Sequence, residues 1–440
     1  MSEQPITTPS TSQPVIPRKY LFAFIIVTSL FALWGFANDI TNPMVAAFKN
    51  ILLISNFESS LVQAAFYGGY CFMAIPAALF ITRFSYKAGL LMGLALYAAG
   101  CLLFVPAGGM MAFWLFLVAY FVMTCGLSFL ETSANPYILS MGDPSTSTRR
   151  LNFAQAFNPL GSITGMLIAR NLILAKIDST SEADRRVLSE ENPEAFAAIQ
   201  QSDLDIIVGP YVVLGVVVLA ILIVFALVKL PGTSSGDIKT AVMPTIKRLI
   251  ARPHYVWGVV AQAFYVGAQI MCWTFVIQYG MNELNMTAAS AQSYNIWAMG
   301  IFVSSRFICT YLLKFFNPGS LLSGLAIGGG VLTLGAIFLT GMPGLYALIG
   351  VSACMSLMFP TIYGIALEGT GEDAKFGSAG LILAIGGGCL MPPMQAAIMD
   401  MDAFSFGSFV LSSTRISFAL PLICFIAIAT YGFFNRPRRA

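Results

Sequence analysis

Residues 20–44 read YLFAFIIVTSLFALWGFANDITNPM. Tyr20 through Ala37 carries no charge, and the run closes on a polar patch, Asn38, Asp39 and Asn42. A helix needs about 20 mostly apolar residues to cross a hydrocarbon core of roughly 30 Å. This stretch is long enough to span, and it carries a carboxylate that hydrocarbon does not tolerate without a reason. Comparable apolar runs follow at about 58–82, 88–108, 111–141, 151–174 and 207–230, then at about 253–280, 288–314, 319–341, 344–367, 376–399 and 408–435. The expectation is an all-α membrane protein of twelve transmembrane helices, six on either side of a linker.

Composition agrees. Of 440 residues, 57% are hydrophobic and only 10% are charged, whereas soluble domains carry about 25% charge. A soluble globular protein is excluded, and no basic stripe with interleaved aromatics points to nucleic acid. The eight cysteines all fall in apolar runs without metal-ligand spacing, so they read as small buried hydrophobes rather than disulfides or a metal site. The organisation expected is a disordered leader (1–19), a first half (20–230), a linker (231–252) and a second half with a tail (253–440).

Charge sets the orientation. With the N-terminus inside, seventeen of the 23 Lys/Arg, Arg306 among them, fall in cytoplasmic segments. Only Lys49, Lys176, Arg185 and Arg186 lie in outside loops. This positive-inside bias puts both termini in the cytoplasm, as in a bacterial-type inner membrane. The loop at about 175–206 carries eight acids and reads as a solvated external loop.

The halves echo one another. Arg83-Phe84 and Leu90-Leu91 recur as Lys314-Phe315 and Leu321-Leu322 at an offset of 231 residues. Gly161 follows Arg150, and Gly386 follows Lys375, by the same eleven residues. Parallel six-helix repeats place a binding site between the halves at mid-membrane.

Of the twenty acids, only Asp39 and Glu131 stand within apolar spans. Both are candidates for proton coupling, because loss of hydration favours the neutral form of a carboxylic acid. Around them the amides fall into stripes at helical spacing. Asn38 and Asn42 flank Asp39; Asn135 follows Glu131 by four; Asn152, Gln155 and Asn158 recur every three; Gln262, Tyr265, Gln269 and Trp273 line span seven. Such groups either bond helices to one another or meet a polar solute. Amides, a carboxylate and a flat indole suit a monosaccharide. His254 reads as an interfacial residue at the edge of span seven.

Several strings are more specific. They include Trp34-Gly35-Phe36-Ala37-Asn38, Gln63-Ala64-Ala65-Phe66-Tyr67-Gly68-Gly69-Tyr70, Leu130-Glu131-Thr132-Ser133-Ala134-Asn135-Pro136, Arg150-Leu151-Asn152-Phe153-Ala154-Gln155 and Tyr265-Val266-Gly267-Ala268-Gln269. On these, the chain resembles the fucose:proton symporter family of the major facilitator superfamily along nearly its whole length. The resemblance implies a proton-coupled importer of a hexose or deoxyhexose, most simply L-fucose, with no cofactor beyond the co-transported proton and a monomer in the bilayer. It implies sugar binding and coupling at Glu131, places Gln63 among the binding residues, and puts an aspartate in span one where this chain has Asn42. Asp39 stands three residues earlier, a rotation of about 300° and a rise of about 4.5 Å, on nearly the same face. The alternatives are a symporter or uncoupled facilitator for glucose, galactose, fructose or N-acetylglucosamine, and, from another class, a polytopic membrane enzyme. The loop acids of this chain lack a catalytic arrangement.

Overall fold

In hydrocarbon, each backbone N–H and C=O must be satisfied within its own segment, so the apolar runs fold as helices. The computed structural model describes residues 16–142, 150, 153–155, 157–228, 242–313, 315–370, 373–406 and 409–435. In the first half, span one is Leu21–Thr41, turning at Asn42-Pro43 into Met44–Leu52. Spans two to four are Asn56–Arg83, Tyr86–Leu102 and Phe113–Leu139. Span five is Asn158–Ile168 continued by a π-helical turn, Ala169–Leu174, and span six is Pro193–Leu227.

In the second half, spans seven to nine are Pro253–Leu284, Ala288–Leu312 and Pro318–Phe338. Span ten is broken between Met342–Met355 and Met358–Leu367. Span eleven runs through Ala374–Leu383, a tight 3-10 turn at Ala384–Gly386, and Gly387–Met399. Span twelve comprises Ser413–Ile416 and Ala419–Phe434. Among the described residues, ten of these elements are long and apolar enough to cross a membrane. Span eight is long enough but carries Gln292, Asn295 and Arg306. Span five is the other exception, its first residues lying partly outside the described set.

The repeat seen in the sequence is a packing repeat. Span pairs one–five, two–four, three–four and three–six are in contact, and the equivalent pairs seven–eleven, eight–ten, nine–ten and nine–twelve pack likewise. Small residues set the closest approaches. A Cβ on Gly161 would collide with the Ala32 carbonyl, and one on Gly35 with the Asn158 carbonyl, which fixes span five against span one.

Hydrogen bonds between the halves gather toward the face opposite the termini. The Asp400 carboxylate, just past span eleven, accepts from Asn56 N at 2.9 Å, Asn56 Nδ2 at 2.6 Å and Phe57 N at 2.7 Å. Those backbone donors belong to the first turn of span two, where a helix has no internal partners for them. On the same face, Arg170 Nε donates to Ser293 Oγ at 2.8 Å.

Two expectations are corrected. The stretch 175–206 is solvated but largely helical rather than a loop: it holds Glu182–Glu191 and the first turns of span six. Arg185 is 1% exposed and pairs with Asp203 at 2.6 Å, and its neighbour Glu182 binds Lys49 at 3.1 Å. Paired in this way, the charges let the helix start well before the apolar run does. Burial works to raise the Glu182 carboxyl, but Lys49 and Arg186 outweigh it and hold the group below its ordinary range. Second, Arg306 belongs to the helix of span eight rather than to a flanking segment, and its exposed side chain stands at the cavity between the halves. The end of the linker forms a helix, Val242–Ile250, tied by Arg248 to Asp373 at 2.7 Å. Leader residues 1–15 and linker residues 229–241 lie outside the described residues.

Candidate functional site

A cavity of about 260 Å³ opens between the halves. It has roughly the room of nine waters, the scale of one sugar ring. Span one presents Trp34, Asn38, Asp39 and Asn42 to it, positions spaced so that they share one helical face. Span two adds Tyr67 and Tyr70, span four Glu131, and span five Asn158 and Ser162. From the second half come Tyr265, Gln269 and Trp273 of span seven, with Phe302 and Arg306 of span eight. A larger groove of about 750 Å³, lined by spans one, five and six, is mostly apolar, with Ser29, Thr164, Lys176 and Asp205 its polar residues.

Several polar groups at the cavity wall are unsatisfied. Asn38 Oδ1, Glu131 Oε2, Tyr67 Oη and Tyr70 Oη are buried with no hydrogen-bond partner among the described residues. Leaving such a group unpaired costs about 1–3 kcal/mol, and four of them share this one wall. Flat walls stand beside them. Trp34 stacks on Tyr70 with centroids 6.5 Å apart at 23°. Trp273 meets Phe302 edge-on at 5.0 Å, its indole N–H held by Ser352 Oγ at 3.1 Å. Arg306 covers the Phe302 ring at 4.9 Å and donates through Nε to the Ser356 carbonyl at 3.2 Å.

The expected residues divide between the cavity wall and the packing behind it. Asp39, 4% exposed, accepts from Asn42 Nδ2 at 3.2 Å. Gln63 stands behind them, donating to Asn42 Oδ1 and to Thr274 Oγ1, each at 3.1 Å. Asn135 and Gln155 bond to each other at 3.3 Å, one turn from Glu131 toward the termini. Gln262 is fully buried, without a partner for its amide among the described residues, and does not line the cavity. His254 bonds the Ile365 carbonyl at 2.6 Å, also apart from it. Asn152 lies outside the described residues. Residue type alone left out Trp34, Tyr67, Tyr70, Ser162 and Arg306. Helical spacing was the available signal: Trp34 precedes Asn38 by one turn, and Tyr67 and Tyr70 are three apart.

Two similar six-helix halves around a solute-sized polar cavity define a membrane transporter of the alternating-access kind, not an enzyme. The profile described as Major Facilitator Superfamily matches residues 23–380. The L-fucose-proton symporter of Haemophilus influenzae is 53% identical over 426 residues, 95% of this chain and 97% of that protein. The L-fucose-proton symporter of Escherichia coli is 34% identical over 95% of this chain and 94% of its own. The crystal structure of FucP, a major facilitator transporter in the outward conformation, superposes with a TM-score of 0.70 at 34% identity, covering 96% of this chain and 100% of that one. The chain belongs to the major facilitator superfamily and, within it, to the fucose:proton symporter family.

Proposed function

We propose that this protein imports L-fucose together with a proton across a cytoplasmic membrane, with both termini inside. The observation that carries the reading is the cavity itself. An intramembrane carboxylate, Glu131, with an unpartnered oxygen, shares the wall with unpartnered Asn38 and tyrosine hydroxyls and with stacked aromatics. Amide and hydroxyl groups meet the sugar hydroxyls, Trp34 and Trp273 face its C–H surfaces, and Glu131 exchanges the proton. Asp39 is the second coupling group. The names of the relatives at 53% and 34% identity support L-fucose over other hexoses.

Protonation neutralises Glu131 and lets the loaded cavity turn from one side to the other without carrying a bare charge through low dielectric. Inward movement of one positive charge is worth about 2.3 kcal/mol per 100 mV, which sustains roughly 50-fold accumulation of a neutral sugar. The two halves, joined at 231–252, rock about the cavity, and the Asp400 contacts hold the external side shut. The protein works as a monomer. The test is uptake of a panel of labelled sugars into proteoliposomes, with and without an inward proton gradient. Gradient-dependent accumulation of L-fucose supports the reading. Preference for another hexose, or indifference to the gradient, contradicts it.

A further inference from the structure

A line of buried side chains leads out of the cavity and across the boundary between the halves. Asn42 Nδ2 donates to Asp39 Oδ1, Gln63 Nε2 donates to Asn42 Oδ1, and the same nitrogen donates to Thr274 Oγ1 of span seven. Gln63 and Thr274 are fully buried. Gln63 Oε1 has no partner among the described residues.

An ionised carboxylate only accepts hydrogen bonds. Asp39 therefore fixes the direction of the whole line. Asn42 must turn its NH₂ to Asp39 and its carbonyl to Gln63. Gln63 must answer with its own NH₂, whose two hydrogens go to Asn42 and Thr274. Protonation lifts the constraint, because the Asp39 carboxyl then has a hydrogen to donate as well as an oxygen that still accepts. If Asn42 turns its carbonyl to receive it, two amines face each other unless Gln63 turns as well. In that second setting Gln63 Oε1, unpartnered in the first, accepts from both Asn42 and the Thr274 hydroxyl. The line thus has a second setting that only the protonated carboxyl can support.

We propose that Gln63 is a positioning residue that carries the protonation state of Asp39 to Thr274 on the other half, so that closure of the external side depends on the proton. The proposal rests on the proton-symport reading. The other titratable or charged side chains on the cavity wall are Tyr67 and Tyr70 of span two, Glu131 of span four, Tyr265 of span seven and Arg306 of span eight. None of them bonds to Asn42, Gln63 or Thr274 among the described contacts. The Tyr265 hydroxyl goes to the Met355 carbonyl at 3.1 Å.

Thr274→Val keeps the shape of the side chain and removes the hydroxyl that ends the line. In proteoliposomes loaded with L-fucose, counterflow at equal pH on both sides should persist, because the cavity wall is unchanged and counterflow needs no net proton movement. Gradient-driven accumulation should fall about fivefold, the worth of one neutral hydrogen bond, and the pH profile of uptake should shift. Thr274→Ser should restore both. A wild-type pH profile and accumulation in Thr274→Val overturns the proposal. So does equal impairment of the Val and Ser variants, which marks a packing role. If the wild-type protein itself fails to accumulate L-fucose, the functional reading falls instead.

Discussion

Asn42 and Asp39, one turn apart on span one, are hydrogen-bonded at 3.2 Å in the wall of the central cavity. The family resemblance puts an aspartate at the first of these positions, and this chain carries its carboxylate at the second. The two side chains touch and both line the cavity, so a carboxylate one turn away, as proposed above, stays at the same wall.

Asp39→Asn should therefore impair proton-driven uptake, while the double exchange Asp39→Asn with Asn42→Asp recovers much of it. Asn42→Asp alone should fare worse than the double exchange, because two carboxylates at hydrogen-bond distance cannot both ionise. Initial rates of L-fucose uptake across a pH series compare the variants. Normal transport with an unchanged pH profile in Asp39→Asn removes Asp39 from coupling.

A second prediction concerns the contact that joins the halves at the face opposite the termini. Asp400 accepts three bonds from Asn56 and Phe57. Asp400→Asn keeps one acceptor oxygen and loses the charge, a change worth about 1.5 kcal/mol, or roughly tenfold in the balance between open and closed forms. A single cysteine placed at Phe57, 43% exposed, should react faster with an impermeant thiol reagent in the Asp400→Asn background. Equal rates would show that these bonds do not hold the face shut.

On the other face, hydrogen bonding from Arg248 holds the Asp373 carboxyl below the usual carboxylate range. A carboxyl depressed in the folded state contributes its full stability above its unfolded value of about 3.9 and loses it as pH falls through the lower folded value. The difference in thermal stability between wild type and Asp373→Asn should stay constant above about pH 5 and shrink below pH values of about 4. A difference that widens on acidification contradicts the pairing.

Orientation has its own test. Glu190 is exposed on the helix Glu182–Glu191, which the charge bias places outside. A cysteine there should label with an impermeant reagent in intact cells. Labelling only after permeabilisation reverses the topology.

The fold was legible because hydrocarbon enforces helices and length, so the apolar runs and the spacing of Gly161 and Gly386 sufficed. Asp39 and Glu131 were legible because a carboxylate within an apolar span is rare. The rest of the wall was not. Tyr67, Tyr70 and Trp34 look like ordinary apolar bulk until their neighbours are known, and Arg306 reads as an interfacial cation because it stands near a span's end. Amides carry two meanings. Gln63 and the Asn135–Gln155 pair bond to neighbouring helices, a demand that leaves the same mark on the sequence as a ligand does. Charge misled in the same way at Arg185, whose partner Asp203 lies eighteen positions on.

The central claim is that Glu131 moves a proton with the sugar. Glu131→Gln keeps the size and the hydrogen-bonding capacity but cannot exchange a proton near neutral pH. Purified wild type and variant should be reconstituted side by side and given labelled L-fucose under an inward proton gradient, then in counterflow without one. The account predicts gradient-driven accumulation by wild type only, with counterflow retained by both. Accumulation by Glu131→Gln at the wild-type level would contradict it.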